Sequence, residues 1–103
     1  MKHYLQDEFE AFVDEIRELV VKDYAKRYPD SKCPKISFDT GRKYWRIVRG
    51  GSVYGFVRKD DGAIFRAASW KAPQTKTKSA IRGYLHDADR LNCCSSIAIR
   101  YVQ

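Results

Sequence analysis

Cysteine is scarce in this chain, and the little there is makes no framework. Cys33 stands alone, and Cys93 and Cys94 are adjacent, a spacing that strains any bond between them. An odd count without framework spacing excludes a disulfide scaffold and predicts buried, reduced thiols. A zinc site would have to draw on Cys33, His86, Cys93 and Cys94, and nothing here has the CxxC or HxxxH spacing of such sites. No metal and no cofactor is predicted. Long apolar runs are missing too, which excludes a membrane-spanning helix. The first residues, "MKHYLQDEFEAF", lack the basic segment and apolar run of a signal peptide, so a cytoplasmic location is expected. Phosphate-cradling GxxxxGK[ST] and GxGxxG patterns are absent. The two histidines, His3 and His86, accompany no serine or cysteine nucleophile motif, and catalysis is not expected.

Acidic residues are the next scarcity, but only in part of the chain. Residues 1 to 31 hold five Lys/Arg and eight Asp/Glu, a net of −3. Residues 32 to 103 hold fifteen Lys/Arg and five Asp/Glu, a net of +10. Such polarity points to a polyanionic partner. At 103 residues the chain is expected to form one domain, 1–103, with a core of modest size.

What is present reads clearly along the chain. Leu5, Phe9, Phe12, Val13, Ile16, Leu19, Val20 and Tyr24 recur at spacings of three and four, one stripe of an amphipathic helix over residues 4 to 28. Pro29 ends it. "KISFD" reads as a short edge strand. "KYWRIVR", "SVYGFVRK" and "AIFRAASW" read as three further strands, separated by Gly50-Gly51 and by Asp60-Asp61-Gly62. Ala80, Ile81, Tyr84 and Leu85 suit a short helix, and "SSIAIRYV" a closing strand. The expected fold class is α+β: a long N-terminal helix packed on an antiparallel meander of three to five strands, with a short C-terminal helix and a closing strand.

The turns also predict a register. A two-residue loop at Gly50-Gly51 sets Val48 opposite Val53, Ile47 opposite Tyr54 and Trp45 opposite Phe56. A bulged loop at 60 to 62 sets Val57 opposite Phe65 and Phe56 opposite Arg66. One face then holds Tyr44, Val48, Val53, Gly55, Val57, Phe65 and Ala67, with Arg46 its only charge, a seat for the helix. The other holds Trp45, Ile47, Arg49, Tyr54, Phe56, Arg58, Ile64, Arg66 and Trp70. Two arrangements satisfy this second face. Its rings stand exposed to stack bases, or they form a second core layer from which the arginines reach water.

After the strands comes a basic, hydroxyl-rich run: Lys71, Lys76, Lys78 and Arg82, with Thr75, Thr77 and Ser79 between. Ammonium groups beside hydroxyls suit phosphate. Trp70 precedes this run, either as a stacking ring or as an anchor holding the loop to the sheet.

The segment "YWRIVRGGSVYGFVRKDDGAIFRAASWKAP", with "RG" at 82 and 83, resembles a family of small, uncharacterised proteins of tailed bacteriophages, which share an SVxxFV strand, a glycine turn and an AASWKAP segment. That resemblance implies a phage origin and a shared α+β core, and a host-cell cytoplasmic location. It implies no catalytic residues. "HDADRLNCC" departs from the pattern.

These features together predict a non-catalytic nucleic-acid binder, single-stranded or sequence-tolerant. Trp45, Tyr54 and Phe56 are the stacking candidates, and Arg49, Arg58, Arg66, Lys71, Lys76, Lys78 and Arg82 the phosphate contacts, with Trp70 between. The alternative is a protein-interaction module that inhibits a host protein or joins the virion.

Overall fold

The apolar stripe near the N-terminus forms one helix, α1 (Gln6–Arg27), in the computed structural model, which describes residues 3–30, 32–73, 75, 81–88, 90–94 and 99. Asp7 and Glu8 sit in its first turn and Lys26 and Arg27 in its last, charges that complement the helix dipole. Phe9, Phe12, Val13, Ile16 and Val20 are buried, and Leu5, Leu19 and Tyr24 pack partly buried beside them.

Beyond the helix lie five antiparallel strands: β1 (Ile36–Thr40), β2 (Tyr44–Arg49), β3 (Ser52–Arg58), β4 (Ala63–Phe65) and β5 (Ile81–Tyr84). They pair in sequence order as a meander, so the fold is α+β with an open sheet. Gly50 has φ 59 while Gly51 keeps a negative φ, as a type II′ hairpin requires, and Arg49 pairs with Ser52 as the loop length predicts. Arg17 of the helix donates from Nε to the Ile36 carbonyl at 3.1 Å, tying α1 to the edge strand.

Two elements differ from the sequence reading. Residues 81–84, expected as helix, are β5. They supply the second partner that β4 needs, with Ala63 opposite Tyr84 and Ile64 opposite Gly83. A ladder on an otherwise open strand outweighs local helix preference there. The strand expected over "AIFRAASW" ends at Phe65. Most of the expected closing strand lies outside the described residues. Ile99, which is described, forms an isolated bridge with Cys94 and donates its N–H to the Tyr54 carbonyl at 3.1 Å.

The register departs by one residue at two places, and both departures decide faces. Val48 pairs with Val53 as expected, but Ile47 then pairs with Gly55 and Trp45 with Val57, because the ladder shifts between Ile47 and Val48. Tyr54 is the extra residue of a bulge. Across the next loop Phe56 pairs with Phe65 and Val57 with Ile64. Side chains alternate with a period of two, so each single-residue shift moves the residues beyond it to the opposite face. Trp45, Ile47, Tyr54, Val57 and Ile64 therefore share one core cluster with the helix stripe. Phe56, Ala63 and Phe65 form a second, smaller cluster on the other side, flanked by Tyr44, Val53, Ala67 and Tyr84.

A short 3-10 helix (Arg90–Cys93) is pinned to α1 by Arg90. Its Nε and Nη2 donate to the two carboxylate oxygens of Glu15, and its Nη1 donates to the Leu85 carbonyl at 2.6 Å. The hydrogen bond from Arg90 holds the Glu15 carboxyl below its ordinary value of 4.5. A lowered folded-state pKa contributes stability above the unfolded value, and that contribution is lost as pH falls through the folded one. Glu15→Gln is therefore expected to cost about 1 kcal/mol at neutral pH, since over a third of the Glu15 side chain stays in water. It should also flatten the fall in thermal midpoint below about pH 4.5. Circular dichroism melts across the acid range check this, and an equally steep acid limb in the variant would contradict it.

Candidate nucleic-acid interface

The stacking surface predicted from the sequence is closed. Trp45 and Tyr54 are 0% exposed and Phe56 is 4% exposed. Trp45 lies parallel to Phe9 at 4.4 Å and 8°, with the His3 ring at its edge at 5.3 Å. Phe56 is buried on the opposite face, edge-on to Tyr44 at 6.1 Å. These three rings are core, and the expectation that they stack bases is corrected by the helix seated on the first two and by the second cluster around the third.

The predicted cations scatter. Arg49 stays on the helix side, where its Nη2 donates to the Tyr24 hydroxyl at 2.9 Å. Arg58 lies over the Phe65 ring, and its Nε and Nη2 donate to both Asp61 oxygens at 3.0 and 2.7 Å. Asp61 raises the Arg58 pKa and is itself held below its usual range by Arg58, so the charge of this arginine is compensated within the turn. Arg82 is 8% exposed, at the register shift between β4 and β5, and is buried rather than presented. Lys76 and Lys78 lie outside the described residues. Arg66 and Lys71 are exposed.

What the structure does assemble is a loop built on the segment "AASWKAP". Ala67 bridges to Pro73, and the Ala72 carbonyl accepts from the N–H of Ala68 at 3.0 Å and of Ser69 at 3.1 Å. Ser69 Oγ accepts from the Lys71 N–H at 3.3 Å. Trp70 stands at the tip, 44% exposed. The Arg46 guanidinium sits 4.3 Å from the centre of its ring and donates from Nη1 to its carbonyl at 3.2 Å. Asp39 fixes that guanidinium from the neighbouring strand, accepting on Oδ2 from Nε at 3.2 Å and Nη2 at 2.6 Å. The anchoring role of Trp70 and its exposure thus coexist: one side of the ring is fastened, and much of the rest meets water.

Two shallow grooves flank this loop. One, of about 170 Å³, is lined by Asp39, Thr40, Gly41, Tyr44, Arg46, Phe56 and Lys71. The second, of about 240 Å³, runs between β3 and the loop and is lined by Val53, Tyr54, Arg66, Ala67, Ala68, Ser69 and Trp70. Arg42 and Lys43 are exposed in the β1–β2 turn beside the first groove. The sequence reading gives no role to Asp39, Arg42 and Lys43, and it puts Arg46 on the face toward the helix, whereas Arg46 sits on Trp70. The alternation of Tyr44 and Arg46 was the available signal, hidden because that face was assigned to the helix.

Charge is biased by layer. The helix exposes Asp7, Glu8, Asp14 and Glu18 together with Arg17, Lys22, Lys26 and Arg27, whereas on the strands, turns and loop the exposed Lys35, Arg42, Lys43, Arg66 and Lys71 outnumber the exposed Asp39, Asp60 and Asp61. Among the described residues the helix α1 carries seven Asp/Glu against four Lys/Arg, and residues 32 onward carry twelve Lys/Arg against four Asp/Glu. Among the described residues no group of three or more His, Cys, Asp or Glu side chains can hold a metal ion, and no helix is long and apolar enough to cross a membrane.

Fold and surface together define a class of protein, the two-layer α+β domain with an acidic helix and a basic, loop-bearing sheet. The chain belongs to a family of unknown function, DUF7717, whose model matches residues 1–98. No curated protein and no solved structure matches it.

Proposed function

We propose that the protein is a non-catalytic, phage-encoded nucleic-acid binder of the host cytoplasm that engages phosphates through the basic sheet layer and the Trp70 loop. The phage origin rests on the resemblance of the "AASWKAP" region. One observation carries the reading: the exposed cations Arg42, Lys43, Arg66 and Lys71 lie in the layer away from the acidic helix. A polyanion approaching that layer meets attraction, while on the helix the exposed cations are matched by as many exposed carboxylates. Binding of this kind tolerates sequence, because phosphate contacts carry register and orientation but no base identity. Lys76 and Lys78 extend the same basic run.

Lys43→Glu combined with Lys71→Glu is expected to weaken oligonucleotide binding at least about tenfold. Losing two phosphate contacts should also reduce the slope of log affinity against log salt by about 1.4 to 1.8. Fluorescence anisotropy at about 50 and about 200 mM salt measures both. Unchanged affinity and slope would sink the reading. The seating of Trp70 on Arg46 favours a second reading, since Trp and Arg dominate protein-interaction hot spots. A stoichiometric protein partner retained after nuclease treatment, with no oligonucleotide binding, would decide for it.

A further inference from the structure

We infer that the groove between β3 and the Trp70 loop is a slot for one unpaired nucleobase, which makes single strands the preferred ligand of the interface; this rests on the proposed nucleic-acid binding. Among the large rings of the sheet and its loops, the sequence offers several for stacking, but burial removes Trp45, Tyr54, Phe56 and Phe65. Trp70 is 44% exposed and borders the groove together with Arg66 and Ser69. Its companion on the ring, Arg46, lines the neighbouring groove instead, so Trp70 forms the wall between the two.

This arrangement has the parts that base recognition uses. An indole held by a guanidinium loses little freedom when a second planar group stacks on it, because Arg46 is itself locked by Asp39. Bases stack on such rings irrespective of sequence, since each presents a π-face. The apolar side of the slot comes from Val53, Ala67 and Ala68. Polar edges of a base meet Arg66 and the Ser69 hydroxyl, whose oxygen already accepts from Lys71 and whose proton remains to donate outward. A volume of about 240 Å³ is enough for a single ring system with some water. Lys71 lines the adjoining groove across the Trp70 wall, where the phosphate next to an inserted base would fall. A base-paired duplex keeps its bases stacked internally and has nothing to place in such a slot.

The burial of Trp45 makes the test direct, because quenching by added nucleic acid then reports on Trp70. Tryptophan emission is followed while the full chain is titrated with short oligo(dT) and, separately, with a duplex of equal length. Wild type, Trp70→Phe and Trp70→Ala, the last two lacking the reporting ring, are compared by fluorescence anisotropy of end-labelled oligonucleotides, with thermal melts confirming that the variants fold. Oligo(dT) should quench wild-type emission and bind more tightly than the duplex. Trp70→Ala should lower oligo(dT) affinity about five- to a hundredfold, Trp70→Phe should keep much of it, and duplex affinity should hardly change. If both nucleic acids bind with equal affinity and Trp70→Ala leaves oligo(dT) binding intact, the slot is overturned and the phosphate-binding reading survives. If the wild type binds neither, both fall together.

Discussion

Trp45→Ala is expected to lower the stability of the protein by about 3–5 kcal/mol, the cost of emptying a large aromatic site in a closed core. The ring is fully buried, parallel to Phe9 at 4.4 Å, bordered by His3 at 5.3 Å and covered by the Lys59 ammonium at 5.3 Å from its centre. Truncation removes the contact that seats the first turns of α1 on β2. For a domain whose whole stability is on the order of 5–15 kcal/mol, this approaches unfolding. Its indole N–H has no hydrogen-bond partner and is buried, so part of the Trp45 site is already unfavourable. Trp45→Phe deletes that orphan donor and should cost clearly less than Trp45→Ala. Urea denaturation followed by far-ultraviolet circular dichroism measures both. An alanine variant as stable as wild type would place the ring on the surface, and the pairing of Trp45 with Val57 would be wrong.

Gly55→Val is the second large effect, expected to cost about 3 kcal/mol or more, with Gly55→Ala in the range of about 1–3 kcal/mol. Gly55 has no positive φ, so the penalty is steric rather than conformational. A Cβ at this position would stand 2.8 Å from Ile99 Cγ1 and 3.0 Å from the Phe65 carbonyl oxygen. Ile99 is held beside Gly55 by its N–H, which donates to the carbonyl of the bulge residue Tyr54 at 3.1 Å. A double-mutant cycle separates the two clashes. Ile99→Ala should be less damaging in the Gly55→Ala background than alone, while the contact with backbone of β4 persists. Additive losses across the cycle would mean that Ile99 does not occupy the space above Gly55.

The bulge also explains where sequence reading succeeded and where it stopped. The helix was legible to its individual buried positions, because Phe9, Phe12, Val13, Ile16 and Val20 follow a period that only one helical face satisfies. The Gly50-Gly51 hairpin was legible because its length fixes the pairs beside it, and Val48 does face Val53. One position further along the prediction failed. Nothing in "SVYGFVR" distinguishes a regular strand from one carrying an extra residue at Tyr54, and a one-residue loop error across Lys59 to Gly62 compounded it. The helix covers the face holding Trp45, Ile47, Tyr54 and Ile64, the shift brings Val57 to it and carries Phe56 to the other, and both faces are packed. Of the candidate site, Trp70, Arg66 and Lys71 survive as exposed groups, since their placement depends on the loop and not on the sheet register.

By itself the sequence determined the class of the fold, the helix and its buried stripe, the order of the first strands, and the separation of acidic from basic residues along the chain. Those features are local: periodicity, turn chemistry and composition act over a few residues. Tertiary structure alone decided which sheet face the helix covers, that residues 81–84 complete the sheet, and that Arg46 clasps Trp70 from twenty-four positions away. Each of these is settled by which distant groups can be buried together, and a single extra residue in one strand was enough to change the answer.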